Sequence, residues 1–229
     1  MSAQKQKLAI LFADISGSTA LYDKLGDVEA RRLVARCLTM LAGVVNTYRG
    51  ALIKTLGDEI MCTFPSAEAA LRAASEMQLA VKTDNLHSAH PLYIRVGFHY
   101  GEVLNEEGDV YGDAVNVAAR VTSITRTNQI MTTTSAVETL PRELLEKTRK
   151  IMRAEFKGKQ EAFDIYQVSW EHDDVESTRI GIPAYRRQAD SDELTLCYRG
   201  LTILVNEHNR SVLIGREATC QLVVKNDFA

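Results

Sequence analysis

Hydrophobic and polar positions along the chain alternate between the two-residue repeat of strands and the 3.6-residue repeat of helices. The first apolar run, in the stretch LAILFADISGST (residues 8–19), predicts a strand that ends at Asp14. A turn rich in serine and glycine then leads to a helix capped by Ser18 or Thr19. A longer helical stripe of buried positions begins at Val28, and Gly50 is expected to end that helix.

The same alternation continues to about residue 170. Strands are predicted at 51–64 (a pair joined at 56–58), 92–100, 101–109, 129–133, 150–156 and 162–169. Helices are predicted at 67–83, 114–125 and 135–140, with Val117, Val121 and Ile124 on the core side of the second. Strands that alternate with amphipathic helices, with antiparallel hairpins among them, predict an α+β fold: a ferredoxin-like antiparallel sheet covered by helices.

Two composition changes divide the chain into three parts. Residues 1–170 form the predicted α+β domain. Residues 171–193 are charged, contain Pro183 and have scattered apolar positions, which is typical of a linker. Residues 194–229 return to strand-like sequence, but about 36 residues are too few for an independent core.

Composition and charge narrow the possible functions. The net charge of −3 argues against a general nucleic-acid-binding protein, which would carry a basic surface. No apolar stretch reaches the length of a membrane span. The four cysteines are far apart in sequence and form no CxxC pair, which favours buried thiols in a cytoplasmic protein over a disulfide or zinc framework.

The candidate chemistry begins where apolar strands meet carboxylates. Asp14 and Asp58 each end or follow such a strand, and adjacent strands would bring them together. Two carboxylates plus substrate phosphates are a usual way to hold Mg²⁺. The amides at the start of a helix bind anions. Taken alone, however, an aspartate before a serine-glycine turn is more often explained as a helix cap.

A third motif separates these explanations. DVYGDAVNVAAR (residues 109–120), together with FADISGST and KTLGDEI, resembles the class III adenylate/guanylate cyclase catalytic domain over about residues 5–170. All three motifs occur in the family's order and spacing, and FKGKQEAFDIYQV is similar to the family's closing pair of strands. The resemblance implies an adenylate cyclase that converts ATP to 3′,5′-cyclic AMP and pyrophosphate.

The resemblance also implies a role for each matching residue. Asp14 and Asp58, with the carbonyl group of Ile15, correspond to the ligands of two Mg²⁺ or Mn²⁺ ions per site. The phosphate-binding turn corresponds to Ser16, Gly17, Ser18 and Thr19. Lys54 and Asp109 would recognise adenine, and Asn116 would orient the ribose. Arg120 would stabilise negative charge on the phosphates in the transition state. Lys157, or alternatively Lys159, corresponds to a lysine that contacts the terminal phosphate.

Two expectations about partners follow from the resemblance. In the family the metal-binding and base-binding residues of one site come from different subunits, so a chain with both sets implies a homodimer with two composite sites. The segment 194–229 resembles the beginning of a forkhead-associated (FHA) domain, with Gly215-Arg216 before an apolar strand. A complete FHA domain would bind a phosphoprotein, but the sequence stops before the serine and histidine of that family.

Two other functions remain as alternatives. The GGDEF motif of diguanylate cyclases is partly matched by Leu56-Gly-Asp-Glu-Ile60, but that family has no counterpart of the VNVAAR helix. A non-catalytic nucleotide-binding signalling adaptor is the other alternative, and it would not need both aspartates together with Asn116 and Arg120.

Overall fold

The computed structural model describes residues 4–106, 108–155, 162–171, 194–198, 201–205, 212–215 and 222–223. The chain divides into two compact units, Met1–Asp173 and Asp174–Ala229. The predicted boundaries of a domain at 1–170, a linker at 171–193 and an FHA-like segment at 194–229 stay predictions.

The first unit contains eight strands and five helices within the described residues. The strands are β1 (Gln4–Ser16), β2 (Ala51–Leu56), β3 (Glu59–Phe64), β4 (Tyr93–Glu106), β5 (Asp109–Tyr111), β6 (Ile130–Thr133), β7 (Thr148–Glu155) and β8 (Ala162–Val168). The helices are α1 (Ser18–Thr47), α2 (Ala67–Asn85), α3 (Asp113–Ile124), α4 (Thr134–Val137) and α5 (Arg142–Leu145).

These strands form one mixed sheet in the order β2-β3-β1-β4-β6-β8-β7, and β5 pairs with the far end of β4. The long strand β1 lies inside the sheet and pairs antiparallel with β3 and β4. Among these pairs only β4 and β6 run parallel. The antiparallel sheet with covering helices confirms the predicted α+β fold.

The alternation along β1 places helices on both faces of the sheet. Leu11 and Ile15 face the core formed with α1 and α2. Ile10 and Phe12 point to the opposite face, where α3 packs. Because successive strand residues point to opposite faces, Asp14 lies on the same face as Ile10 and Phe12, the face covered by α3.

Gly26 adopts a non-helical conformation (φ 74°, ψ 166°) within α1 and separates two helical stretches, as expected from the two helices predicted there. Three other details of the helices differ from the sequence expectation. Val28 follows this kink and is 87% exposed, so the buried stripe begins at Ala30 and not at Val28. Helix α1 ends at Thr47, before Gly50, and Ile124, the last residue of α3, is exposed and not on the core side of the helix.

The second unit contains two described strand pairs. Strands β9 (Leu194–Tyr198) and β10 (Leu201–Val205) are antiparallel, and β11 (Ile214–Gly215) pairs in parallel with β12 (Leu222–Val223). Strand structure was expected here, whereas the resemblance to an FHA domain stays a prediction, since Arg216 lies outside the described residues. Among the helices that the structure describes, none has the length and apolar character needed to cross a membrane.

Candidate active site

Asp14 lies inside β1 and not at its end, because the strand continues to Ser16. Its neighbours across the sheet are Glu59 on β3 and Arg95 on β4. Arg95 donates a hydrogen bond from Nε to Oδ2 of Asp14 at 2.6 Å. The Asp14 side chain is only 13% exposed. The sheet therefore fixes one carboxylate in a half-enclosed position and places a cation beside it.

Asp58 is held next to the turn after β1 by two hydrogen bonds. It follows Gly57, whose positive φ of 66° allows the tight turn between β2 and β3. Its carbonyl oxygen accepts from the backbone N–H of Ile15 at 3.2 Å. Its carboxylate accepts from the hydroxyl of Ser18. The structure thus brings the β1 end and the β2–β3 turn together, as the sequence predicted for Asp14 and Asp58.

The predicted cap of the first helix is wrong in one respect. Gly17 is the N-cap residue of α1, in the left-handed region at φ 76°, and no side chain caps the helix. The Ser18 hydroxyl instead donates to the carboxylate of Asp58. The amide of Ile15 is also engaged, so any anion at this turn would meet the amides that follow it.

These residues line an open cleft of about 670 Å³. One wall carries Asp14, Asp58 and Arg95, and a second consists of the turn Ser16–Thr19. The third is formed by residues 123–127, where α3 ends and a loop begins. The cleft therefore combines two carboxylates, the two arginines Arg95 and Arg126, and the start of a helix.

Burial makes negative charge costly in this cleft. Desolvation raises the pKa of Asp14, while the hydrogen bond and charge of Arg95 oppose that shift. Glu59 does not line the cleft but is the cross-strand neighbour of Asp14, and burial followed by repulsion from Asp14 raises its pKa to about 7. A cation bound between Asp14 and Asp58 would relieve this repulsion.

Sequence reasoning missed Glu59 and Arg95 as members of this cluster. Glu59 directly follows Asp58 in KTLGDEI, and Arg95 is a charged residue within an otherwise apolar strand (YIRVGF). A charge at an inward position of a strand usually has a partner, and this signal could have identified Arg95.

The second predicted pair, Lys54 and Asp109, is also assembled within one chain. The ammonium group of Lys54 on β2 lies 2.6 Å from Oδ2 of Asp109 at the start of β5. The other carboxylate oxygen accepts from the backbone N–H of Val110 at 2.8 Å. These hydrogen bonds lower the pKa of Asp109, so this carboxylate is ionised at neutral pH.

Helix α3 carries the remaining two described site residues one turn apart. Ala114 and Ala118 pack against the sheet. Asn116 is exposed and Arg120 is half-buried. Their i, i+4 spacing places both side chains on one side of the helix. Helix α3 therefore presents the Asn116 and Arg120 side chains on the same side.

The structure brings Asp14 and Asp58 together in the cleft and Lys54 to Asp109 elsewhere. Lys54, Asp109, Asn116 and Arg120 do not line the cleft around Asp14. Lys157 and Lys159 lie outside the described residues.

The donor atoms of the cleft fit a divalent cation that also binds a ligand. Across the described ranges, no group of three or more histidine, cysteine, aspartate or glutamate side chains could hold a metal by itself. Mg²⁺ is typically held by one or two carboxylates together with substrate phosphates, and Asp14 and Asp58 would meet that requirement.

Comparison with known proteins places this geometry in a family. The family described as the adenylate and guanylate cyclase catalytic domain matches residues 1–169. The chain is 34% identical to an adenylate cyclase of Streptomyces coelicolor over 137 residues, which are 60% of this chain and 35% of that protein. It is 28% identical to an adenylate cyclase of Anabaena cylindrica over 193 residues, covering 73% of this chain and 38% of that protein. The chain thus spans about a third of the length of these curated relatives.

Solved structures show the same fold. An adenylate/guanylate cyclase/hydrolase from Silicibacter pomeroyi superposes with a TM-score of 0.66 at 26% identity, covering 73% of this chain and 98% of that one. The adenylyl cyclase CyaB from P. aeruginosa superposes with a TM-score of 0.63 at 22% identity, covering 76% of this chain and 99% of that one.

Proposed function

We propose that this chain, which belongs to the adenylate and guanylate cyclase catalytic domain family, is an adenylate cyclase that converts ATP to 3′,5′-cyclic AMP and pyrophosphate. The observation that carries the proposal is the cleft in which Asp14 and Asp58 meet beside the turn Ser16–Thr19. The adenylate cyclases among its relatives support ATP as the substrate.

Asp14, Asp58 and the Ile15 carbonyl group are the proposed ligands of two Mg²⁺ or Mn²⁺ ions. When bound, such ions lower the pKa of an attacking hydroxyl and neutralise charge on the leaving phosphate oxygens. Ser16, Gly17, Ser18 and Thr19 would hold the phosphates, because the amides at the start of a helix are directed at an anion and the helix dipole is positive there. The proposed role of Lys157, or of Lys159, is to contact the terminal phosphate.

Lys54 and Asp109 are the proposed base-recognition pair. Adenine presents an acceptor at N1 and a donor at its N6 amino group. A lysine donates to the first and a carboxylate accepts from the second, whereas guanine reverses both groups. The 2.6 Å contact between Lys54 and Asp109 holds donor and acceptor next to each other before substrate arrives. This order of donor and acceptor supports ATP over GTP.

In the reaction, the ribose 3′-oxygen attacks the α-phosphorus of ATP and the bond from that phosphorus to the oxygen bridging to the β-phosphorus breaks. The 3′-hydroxyl proton leaves to solvent, and pyrophosphate carries away the bond electrons. Asn116 would orient the ribose. Arg120 would stabilise negative charge on the phosphate oxygens, since a fixed guanidinium is most effective where charge develops.

The two sets of residues support a homodimer with composite sites. Because Lys54, Asp109, Asn116 and Arg120 do not line the described cleft around Asp14 and Asp58, a single chain presents two half-sites. A two-fold pair would place the cleft of one subunit against α3 of its partner and complete two equivalent sites. A phosphoprotein partner of a complete FHA domain and a cytoplasmic location also stay predictions.

The test is direct measurement of cyclic AMP formed from ATP with Mg²⁺ or Mn²⁺. We expect activity in the wild-type chain and its loss in Asp14→Asn and Asp58→Asn, with circular dichroism unchanged. Asp84→Asn is a matched control, because it removes one carboxylate charge at the exposed Arg36–Asp84 pair outside the cleft. A wild-type chain that makes no cyclic AMP, or an active Asp14→Asn variant, would contradict the proposal. Cyclic diguanylate as the product would indicate the diguanylate cyclase alternative.

A further inference from the structure

The loop that follows α3 has two sides with different surroundings. Residues 123–127 line the cleft that contains Asp14 and Asp58. The next residue, Asn128, lines a second cavity of about 470 Å³, bounded by α2, the start of β4 and the residues after β8. One short stretch therefore separates the candidate active site from a cavity that the proposed reaction does not use.

Asn128 is one of the points at which this loop is held. It adopts a left-handed conformation with φ 61°, which a non-glycine residue seldom takes without support. Its N–H donates to the carbonyl oxygen of Ile94 at 2.9 Å. Its own carbonyl oxygen accepts from the indole Nε1 of Trp170 at 2.8 Å. Trp170 thereby connects the loop to the residues that follow β8.

Trp170 is itself held in place on the second cavity. Its ring packs against the core beneath α2. The ammonium group of Lys82 on α2 lies 5.7 Å from the ring centroid and 3.0 Å from the carboxylate of Glu171. A cation above an indole ring is attracted to its face. The indole is thus oriented by ring packing, and its N–H is directed at the loop.

We propose that Trp170 is a positioning residue for the active site: its indole N–H fixes Asn128 and, through it, the wall of the cleft formed by residues 123–127. The inference rests on the proposed nucleotide-binding function of the cleft. Any movement of the chain at Trp170 and Glu171 would therefore displace this wall. It would also displace helix α3, which precedes the loop and carries Asn116 and Arg120.

The decisive variant is Trp170→Phe, which retains an aromatic ring but lacks the N–H donor. The full chain is titrated calorimetrically with 3′-deoxy-ATP in Mg²⁺, since an analogue without the attacking hydroxyl cannot cyclise. We expect Trp170→Phe to raise the dissociation constant about two- to tenfold, the effect of one lost hydrogen bond. Lys82→Met is the matched control, because it removes the cation from the same ring and keeps the hydrogen bond to Asn128.

A second measurement uses the fact that Trp170 is the only tryptophan of the chain. Saturation with the same analogue should change the tryptophan emission of the wild-type chain and of Lys82→Met. An unchanged emission, an unchanged dissociation constant in Trp170→Phe, or equal shifts in Trp170→Phe and Lys82→Met would each overturn the inference. Failure of the wild-type chain to bind the analogue would overturn the proposed function as well, whereas binding with an unchanged Trp170→Phe constant would overturn this inference alone.

Discussion

At the scale of single residues, the contact between Lys54 and Asp109 joins two positions 55 residues apart in sequence. The pair is partly exposed, with side chains 38% and 28% accessible, so its contribution to folding stability is small. Its proposed role is recognition, because a donor and an acceptor with fixed positions would discriminate between purines.

We therefore expect the double variant Lys54→Glu/Asp109→Asn to lose its preference for ATP. Each polar mismatch with a base costs about 1–3 kcal/mol. The ratio of kcat/KM for ATP to that for GTP should consequently fall by at least tenfold. The measurement is the rate of cyclic AMP and cyclic GTP formation over a range of substrate concentrations.

The matched control for this variant is Lys150→Glu/Asp164→Asn. It makes the same chemical changes in another 2.6 Å lysine–aspartate pair, which joins β7 and β8 at the edge of the sheet. The control should retain the wild-type ratio. An unchanged ratio in the Lys54/Asp109 variant would show that these residues do not recognise the base.

The buried thiols predict how cysteine reactivity and folding stability depend on pH. Burial raises the pKa of Cys37 and of Cys62 to about 12, so both are protonated at pH 8 in the folded chain. In a Cys197→Ser/Cys220→Ser variant, neither remaining thiol should react rapidly with a disulfide reagent at pH 8 until denaturant is added. Since an unfolded thiol ionises near pH 8.5, ionisation favours unfolding as the pH rises from about 9 to 12. Rapid reaction of the folded variant would contradict the burial of these thiols.

The sequence predicted Asp14, Asp58, Lys54 and Asp109 as candidates because their motifs are local. It did not predict that Arg95 contacts Asp14, because 81 residues separate them and only strand register joins them. The Ser18 hydroxyl was expected to cap α1, but the neighbouring Asp58 carboxylate is the partner that it contacts. Tertiary contacts of this kind override local preferences.

At the scale of elements, helix α3 approaches strand β4 closely at Gly97. A Cβ atom built at Gly97 would lie 2.3 Å from Oγ1 and 2.5 Å from the backbone nitrogen of Thr122. The glycine thus determines the distance from the sheet to the helix that carries Asn116 and Arg120. Periodicity predicted α3, but it divided β4 into two strands (92–100 and 101–109) where the structure has one strand, Tyr93–Glu106, that continues through Gly101. It also has no information about the distance between helix and sheet.

We expect Gly97→Ala to destabilise the fold by about 1–3 kcal/mol, the usual effect of adding a methyl group to a packed interface. Gly43→Ala is the control, because its added Cβ would meet nothing within 4 Å inside helix α1. The control should be stabilised by about 0.5–1 kcal/mol through helix propensity. Urea unfolding of both variants measures the two shifts, and equal stabilities would contradict the close approach.

At the scale of the whole molecule, the proposed active site combines the cleft of one subunit with Lys54, Asp109, Asn116 and Arg120 of its partner. The cleft of Asp14 and Asp58 is lined by β1, the β2–β3 turn, β4, the start of α1 and the end of α3, whereas Arg120, earlier on α3, does not line it. The sequence established that one chain carries both sets, but it could not place them relative to each other. Their separate surroundings make the subunit pair, and not the single chain, the proposed catalytic unit.

Mixing two inactive variants tests this directly. Asp14→Ala and Arg120→Ala should each be inactive, but in a mixed dimer one composite site collects both changes and the other collects neither. After random exchange of equal amounts, half of the dimers are mixed and half of their sites are intact, so activity should return to about one quarter of wild type by the two-fold symmetry argument. Mixing Asp14→Ala with Asp58→Ala is the control: both changes lie in the same half-site, so every site is damaged and no activity should return. Equal results from the two mixtures, after subunit exchange has been confirmed, would show that the active site does not cross the dimer interface.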